Sequence, residues 1–383
     1  MGGNARALNS TTGEVIAVAQ KIDLRVNSRT SIKADVISIV HRLNMLYADV
    51  YSEGLWSDFC RCIAFGEAFA GSSESFFDSH INDDEFKAYK PTLGDIDIMV
   101  EHFKLKNLWF MLKDSEGKNI GNVKYLGQNK MTMRVTDQIN AVFETPYGNI
   151  QIDFEGAEYK NGIPTEWAKF SHNSKWEDIK KGFKGVAHKY FLTNLVRSIS
   201  KRDDIVILTP KSKIDSPETA KLKKMDAPPR MMAFSVTRGL RNKYAPVGLE
   251  IDGKQAYKEI PVDESVYQTD LEIIFMIMFS REPIRGDMKQ FESFGGCLAL
   301  SSRCLQMVKT MDDLLDYLIV TSLWGPQAQA LESDDAKLDF TVKYAMVLAI
   351  FDHHPHLRDK YIPIIDELST KYYEDFASKK WGE

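Results

Sequence analysis

The chain has 383 residues with 49 Lys and Arg against 54 Asp and Glu, a formal net charge of −5, and 44% apolar content. That apolar content supports a substantial core in about two domains, and the mild acidity argues against a protein that coats nucleic acid indiscriminately. The longest apolar runs, Ile273 to Phe279 and Ala345 to Phe351, fall far short of the roughly 20 residues that cross a bilayer.

Met1-Gly2-Gly3-Asn4-Ala5-Arg6 carries no apolar leader core, so the expected setting is cytoplasmic, without a membrane. The four cysteines, Cys60, Cys62, Cys297 and Cys304, match no common zinc spacing and are expected as reduced thiols. Residues 1–31 are polar and weakly patterned and are expected as a flexible N-terminal arm. From Ile32 to Val50, Ile37, Val40, Leu43, Leu46 and Tyr47 recur at helical spacing, which predicts an amphipathic helix; Leu55 to Phe65 reads as another. There follows a small-residue turn, Phe69-Ala70-Gly71-Ser72-Ser73-Glu74-Ser75, and a charged stretch with Asp78, Asp83, Asp84, Glu85, Lys87 and Lys90. That stretch lacks the alternating ligands and central glycine of an EF-hand and reads as a solvated loop.

In Leu93-Gly94-Asp95-Ile96-Asp97-Ile98-Met99-Val100 the period-2 alternation of a strand sends Asp95 and Asp97 to one face and Ile96 and Ile98 into a core. Further strands are predicted at Gly121 to Tyr125, Met131 to Val135, Ala141 to Glu144 and Ile150 to Phe154, divided by Gly, Asn and Pro turns. Ile150-Gln151-Ile152-Asp153-Phe154 puts Asp153 on the polar face of its strand. Carboxylates held side by side repel and raise one another's pKa unless a cation lies between them. A hard, oxygen-rich set of this kind suits Mg²⁺ or Mn²⁺.

Helical periodicity resumes from Thr165 to Ser200, with Lys184, His188 and Lys189 as the basic residues nearest in sequence to the acidic strands. Short strands are predicted at Asp204 to Leu208 and Met231 to Val236, joined by a Lys- and Pro-rich connector from Pro210 to Pro229. From Lys175 to Lys243 there are 17 Lys and Arg against 7 Asp and Glu, so this segment can track a phosphate backbone or decorate solvated helix faces. From about Val262 onward helices dominate, and the methionines among them are expected to fill core. His353-His354-Pro355-His356 reads as a helix-terminating loop. Lys189-Tyr190-Phe191 and Lys371-Tyr372-Tyr373 interleave cations with rings that stack bases in some proteins and pack helices in more.

A Gly-Ser turn, an Asp-x-Asp strand and a third acidic residue on another strand are the signature of the DNA polymerase β-like nucleotidyltransferase superfamily, which residues 69 to 155 resemble through Gly71-Ser72, Asp95 with Asp97, and Asp153. The resemblance implies an α+β fold, with a nucleotidyltransferase-like mixed β-sheet and flanking helices followed by a mainly helical C-terminal domain. The expected boundaries are 32–260 for the catalytic domain, including the basic segment 175–243, and 261–383 for the helical domain. It further implies that Asp95, Asp97 and Asp153 bind two Mg²⁺ or Mn²⁺ ions as the catalytic residues, and that Asp153 helps to activate an acceptor hydroxyl. Ser72 would contact the triphosphate of a bound NTP, and Gly71, Ser73 and Lys189 are added as candidate nucleotide-binding residues. The expected reaction moves a nucleoside monophosphate from an NTP to an acceptor hydroxyl, an RNA end in the first instance. A small-molecule or protein acceptor, or a non-catalytic nucleic-acid-binding platform, stands as the alternative.

Overall fold

The computed structural model describes residues 5–51, 68–70, 72–129, 138–172, 185–211, 223–225, 227–235, 238–304, 307–324 and 334–381. The chain forms two compact units, residues 1–180 and 181–383.

The first unit contains β1 (Arg6–Leu8), β2 (Val15–Val18), β3 (Ile22–Asp23), α1 (Arg29–Tyr51), β4 (Ala68–Ala70), α2 (Ser72–Phe77), α3 (Asp83–Tyr89), β5 (Thr92–Leu93) and β6 (Asp95–Glu101). It continues through α4 (His102–Asp114), β7 (Asn119–Ile120), β8 (Val123–Gln128), β9 (Gln138–Thr145), β10 (Gly148–Ala157), β11 (Tyr159–Lys160), β12 (Ile163–Pro164) and α5 (Glu166–His172). Its main sheet runs β2-β1-β8-β9-β10-β6-β4, with β7 paired to β8. The β6–β10 pair is parallel and its other pairings are antiparallel, so the sheet is mixed as expected.

One face of this sheet is apolar. Ile96, Ile98 and Val100 of β6 and Ile150, Ile152 and Phe154 of β10 pack with Val36, Val40 and Leu43 of α1 and Leu105, Leu108 and Leu112 of α4. The stripe of α1 is rotated from the expected one, because Val36 and Ile39 point inward while Ile37 stays 44% exposed. Two expectations lie outside the described residues: the helix at Leu55 to Phe65 and the strand at Met131 to Val135.

The expected N-terminal arm is instead part of the fold. Leu8 pairs with Gln128 of β8, and Ile22 and Asp23 pair with Leu93 and Thr92. These pairings are long-range, so local pattern gives no sign of them. The charged stretch after the Gly-Ser turn is also anchored rather than solvated throughout. The Arg29 guanidinium is buried and donates to the carbonyls of Phe76 (3.0 Å), Ile81 (2.8 Å), Ser75 (3.0 Å) and Asp78 (3.0 Å) and to the Asp83 carboxylate (2.6 Å). It also lies 4.7 Å from the Phe86 ring centroid, in cation–π range.

The second unit opens with α6 (Gly185–Ile199) and a four-stranded sheet in the order β14 (Lys223–Lys224), β13 (Ile205–Thr209), β18 (Lys254–Glu259), β17 (Tyr244–Ile251). A hairpin, β15 (Met232–Ser235) with β16 (Gly239–Asn242), accompanies it. Then come α7 (Leu271–Phe279), α8 (Asp287–Phe291), α9 (Phe294–Arg303), α10 (Met307–Asp316), a π-helical segment Tyr317–Leu323, α11 (Asp334–His353) and α12 (Pro355–Trp381). The expected boundary near residue 260 is thus displaced to 180/181. Side chains tie the basic segment to the C-terminal helices: Arg230 and Lys201 pair with Asp313 at 2.7 and 2.9 Å, and Arg197 donates to the Tyr317 hydroxyl at 2.6 Å. Met278, Met307, Met311 and Met346 fill core. His354 is buried where α11 passes into α12 and lies 2.9 Å from the Ser301 hydroxyl. Among the described residues no helix is long and apolar enough to cross a membrane.

Replacing Arg29 by Ala leaves four backbone carbonyls and Asp83 without their shared donor. The expected loss is about 3 kcal/mol or more in urea unfolding, because the acceptors stay desolvated. Asp83→Asn keeps the four carbonyl contacts and is expected to cost below about 1 kcal/mol. Equal, small losses for the two variants would show that the clasp carries no special weight.

Candidate metal centre

Parallel pairing of β6 and β10 sets Asp153 opposite Asp97 and Gln151 opposite Asp95. The same alternation that buries Ile96, Ile98, Ile152 and Phe154 therefore delivers Asp95, Asp97 and Asp153 together on the other face of the sheet. Their ligand oxygens all lie within 4.8 Å of one another. Asp95 and Asp97 are half-buried and Asp153 is buried at 4% exposure.

On the far side of β6, Ala70 of β4 stands opposite Asp97, so the chain leaves the sheet for α2 beside that carboxylate. Gly71 lies outside the described residues, and Ser72 is the first residue of α2. Ser73 is fully buried and its hydroxyl oxygen accepts the Asp97 backbone N–H at 2.8 Å. The expected nucleotide contact at Ser73 is thus a hydroxyl already engaged in holding the Asp-x-Asp strand, with its own proton still to donate.

Three amide side chains that the motif reading missed surround Asp153. Gln138 donates to its Oδ2 at 3.0 Å, Asn140 to its Oδ1 at 2.7 Å, and Gln151 to both oxygens at 2.7 and 2.8 Å. Two of these amides are oriented by partners on their oxygen side. The Ala5 backbone N–H donates to Gln151 Oε1 at 2.9 Å, and Asn129 donates to Asn140 Oδ1 at 2.7 Å. The signal for this cage was present as Gln138-Ile139-Asn140 and Gln151-Ile152-Asp153, amides at alternate positions of otherwise apolar strands. It becomes legible only once the pairing of Asn140 with Asp153 is known.

Burial pushes the Asp153 carboxyl up to about 7, against the opposing pull of the Asn140 and Gln151 hydrogen bonds and with the help of the nearby Asp95 and Glu155 charges. Three converging carboxylates, one of them buried, form the hard-oxygen donor set that a divalent cation requires. The arrangement can hold such an ion, with Asp95, Asp97 and Asp153 as its ligands.

The other basic candidates fall elsewhere. Lys189 is half-buried on α6 of the second unit, whereas the carboxylates belong to the first. His188 is buried with its Nε2 2.9 Å from the Phe291 carbonyl. Phe191 is core rather than a base-stacking ring, and Lys184 lies outside the described residues. No family model, curated protein or solved structure matches the chain.

Because the folded value of about 7 lies above the ordinary 3.8 of an aspartate, the metal-free protein should lose stability as pH climbs between those values and change little above. Cation binding must displace the Asp153 proton below that pH. Titration with Mn²⁺ is expected to show affinity falling about tenfold per pH unit below about 7 and level above it. A flat profile from pH 5.5 to 8 would remove Asp153 from the ligand set.

Proposed function

We propose that this protein is a metal-dependent nucleotidyltransferase that moves a nucleoside monophosphate from an NTP to an acceptor hydroxyl, with an RNA end as the leading acceptor, in a cytoplasmic setting. The observation that carries the reading is the in-register pair Asp97–Asp153 with Asp95 alongside, beside the turn that enters α2. It matches the resemblance of residues 69 to 155 to the polymerase β-like superfamily at each of its three acidic positions.

In this reading the fold is nucleotidyltransferase-like, and Asp95, Asp97 and Asp153 hold two Mg²⁺ or Mn²⁺ ions. When bound, the ions lower the pKa of the attacking hydroxyl and neutralise charge on the leaving pyrophosphate. The acceptor oxygen forms a bond to the α-phosphorus, the bond from that phosphorus to the bridging oxygen breaks, and pyrophosphate departs. Asp153, buried and held by three amides, orients the acceptor hydroxyl, and its carboxylate takes that hydroxyl's proton. Ser73 fixes the height of Asp97 through the backbone bond. Gly71 and Ser72 are assigned to the triphosphate. Positioning and electrostatics carry most of the rate in such chemistry.

Incubation with each α-labelled NTP and Mg²⁺ or Mn²⁺, in the presence of RNA, DNA, protein and small-molecule acceptors, tests the reaction. The native chain is expected to label RNA. Asp97→Ala is expected to lose labelling by ~10³ or more, the loss of several kcal/mol of transition-state stabilisation, with its unfolding transition retained. Undiminished labelling by a folded Asp97→Ala protein would overturn the mechanism. Labelling of another acceptor would keep the mechanism and replace RNA.

A further inference from the structure

The first unit has a cavity of ≈ 690 Å³ between α4 and the loop that joins β1 to β2, a size typical of sites for small molecules. Along α4 its wall carries Phe103, Lys106, Phe110 and Lys113, at steps of three, four and three residues, which is one continuous helical stripe. Phe103 is 68% exposed and Phe110 47% exposed. Leu105 and Trp109 also line this wall but are committed to the core, Leu105 fully and Trp109 in part, together with Leu108, Met111 and Leu112. The Phe103 and Phe110 rings are therefore surplus to the packing of α4, and the Lys104 ammonium lies 5.7 Å from the Phe103 centroid.

Their charge environment selects among ligands. Among the described residues, neither Lys106 nor Lys113 has an ion-pair partner. Glu116, the acidic residue of the wall, accepts the Ser10 backbone N–H at 2.8 Å. The facing loop, residues 9–13, is Asn-Ser-Thr-Thr-Gly, and these polar residues line the cavity. A purely apolar ligand would leave two ammonium groups and a polar loop to desolvate without compensation. A planar aromatic group with an attached anion satisfies both walls at once. The seven residue steps from Lys106 to Lys113 span roughly 10 Å of helix, with Phe110 between them.

We propose that this cavity is a nucleotide-binding site that works without metal: a nucleobase stacks on Phe103 or Phe110 and its phosphate is held by Lys106 and Lys113. Stacking on exposed rings beside a cation is the recognition used by proteins that hold single-stranded nucleic acid. One wall reaches toward the carboxylate cage, since Asn129 lines the cavity and donates to Asn140, which in turn donates to Asp153. The site does not rest on the transferase reading, because it asks nothing of Asp95, Asp97 or Asp153 as ligands.

Calorimetric titration of the full chain in EDTA, with ATP and separately with a short single-stranded oligoadenylate, tests it. Binding of at least one probe is expected. Phe103→Ala/Phe110→Ala is expected to weaken it at least about tenfold, as loss of one stacked base would. Lys106→Ala/Lys113→Ala is expected to weaken it and to flatten its salt dependence. Asp95→Ala/Asp97→Ala is expected to leave it unchanged. Equal affinity for the two probes identifies a free nucleotide as the ligand, and tighter binding of the oligomer identifies a unit of a strand. The proposal is overturned if neither probe binds in EDTA, if binding survives both cavity variants, or if it disappears in the aspartate variant. The labelling reaction stands or falls independently of all three.

Discussion

The acidic face depends on one constraint, the parallel register of β6 and β10. Three carboxylates within 4.8 Å repel one another, and the amides that hold Asp153 do not set which residues of β6 and β10 stand opposite. The other side of the sheet does. Ile96, Ile98, Ile152 and Phe154 are each fully buried against α1 and α4, and burial of such a side chain contributes about 1.5–3 kcal/mol. A slip of one residue would turn all of them to water and the aspartates into the core. The hydrophobic register therefore imposes the electrostatic arrangement, and the cost of crowding three like charges is borne by apolar packing.

The three carboxylates are not equivalent, and the difference gives the centre a direction. Asp153 is enclosed by Gln138, Asn140 and Gln151, with Ala5 and Asn129 fixing two of those amides. Asp95 and Asp97 are half-buried on β6. The more exposed carboxylates thus lie on β6, while the β9 side is a wall of amide donors. The same side of β6 carries β4 and the entry to α2, where Ser73 holds the Asp97 backbone and the Arg29 clasp holds the carbonyls of Ser75, Phe76, Asp78 and Ile81. A buried guanidinium with five acceptors is a stiff joint, so the turn beside the centre is anchored at both ends of α2.

Much of this was legible because strand periodicity is local. Asp95-Ile96-Asp97-Ile98 and Ile152-Asp153-Phe154 announce their faces without reference to the rest of the chain, and helical spacing announces α1, α6 and α11 as helices, although the buried stripe of α1 is rotated from the expected one. The partners were not legible. Gln151 and Asn140 look like ordinary polar positions until β9 and β10 are paired. Residues 6–8 look like an arm until Leu8 meets Gln128, and exposed Val15, Ile16 and Val18 on β2 give that segment no buried stripe to detect. The boundary near 180 was missed for the same reason. The basic segment has the composition of a nucleic-acid contact, and only the long-range pairing of Lys201 and Arg230 with Asp313 shows that part of it is bound up with the C-terminal helices.

That pairing separates positive charge in the sequence from positive charge available to a ligand. Lys201 and Arg230 share Asp313, and Lys360 is held by Asp312 at 2.7 Å. A phosphate would have to compete with a carboxylate already in place for each of them, and the exchange gains little. On α4, which lies outside the segment of greatest positive excess, Lys106 and Lys113 face a cavity with the exposed Phe110 ring between them. Anion recognition follows uncommitted cations rather than their density along the chain. By that criterion an ordinary-looking helix in a mildly acidic unit is better equipped to hold a phosphate than the ion-paired residues of the most basic stretch of the protein.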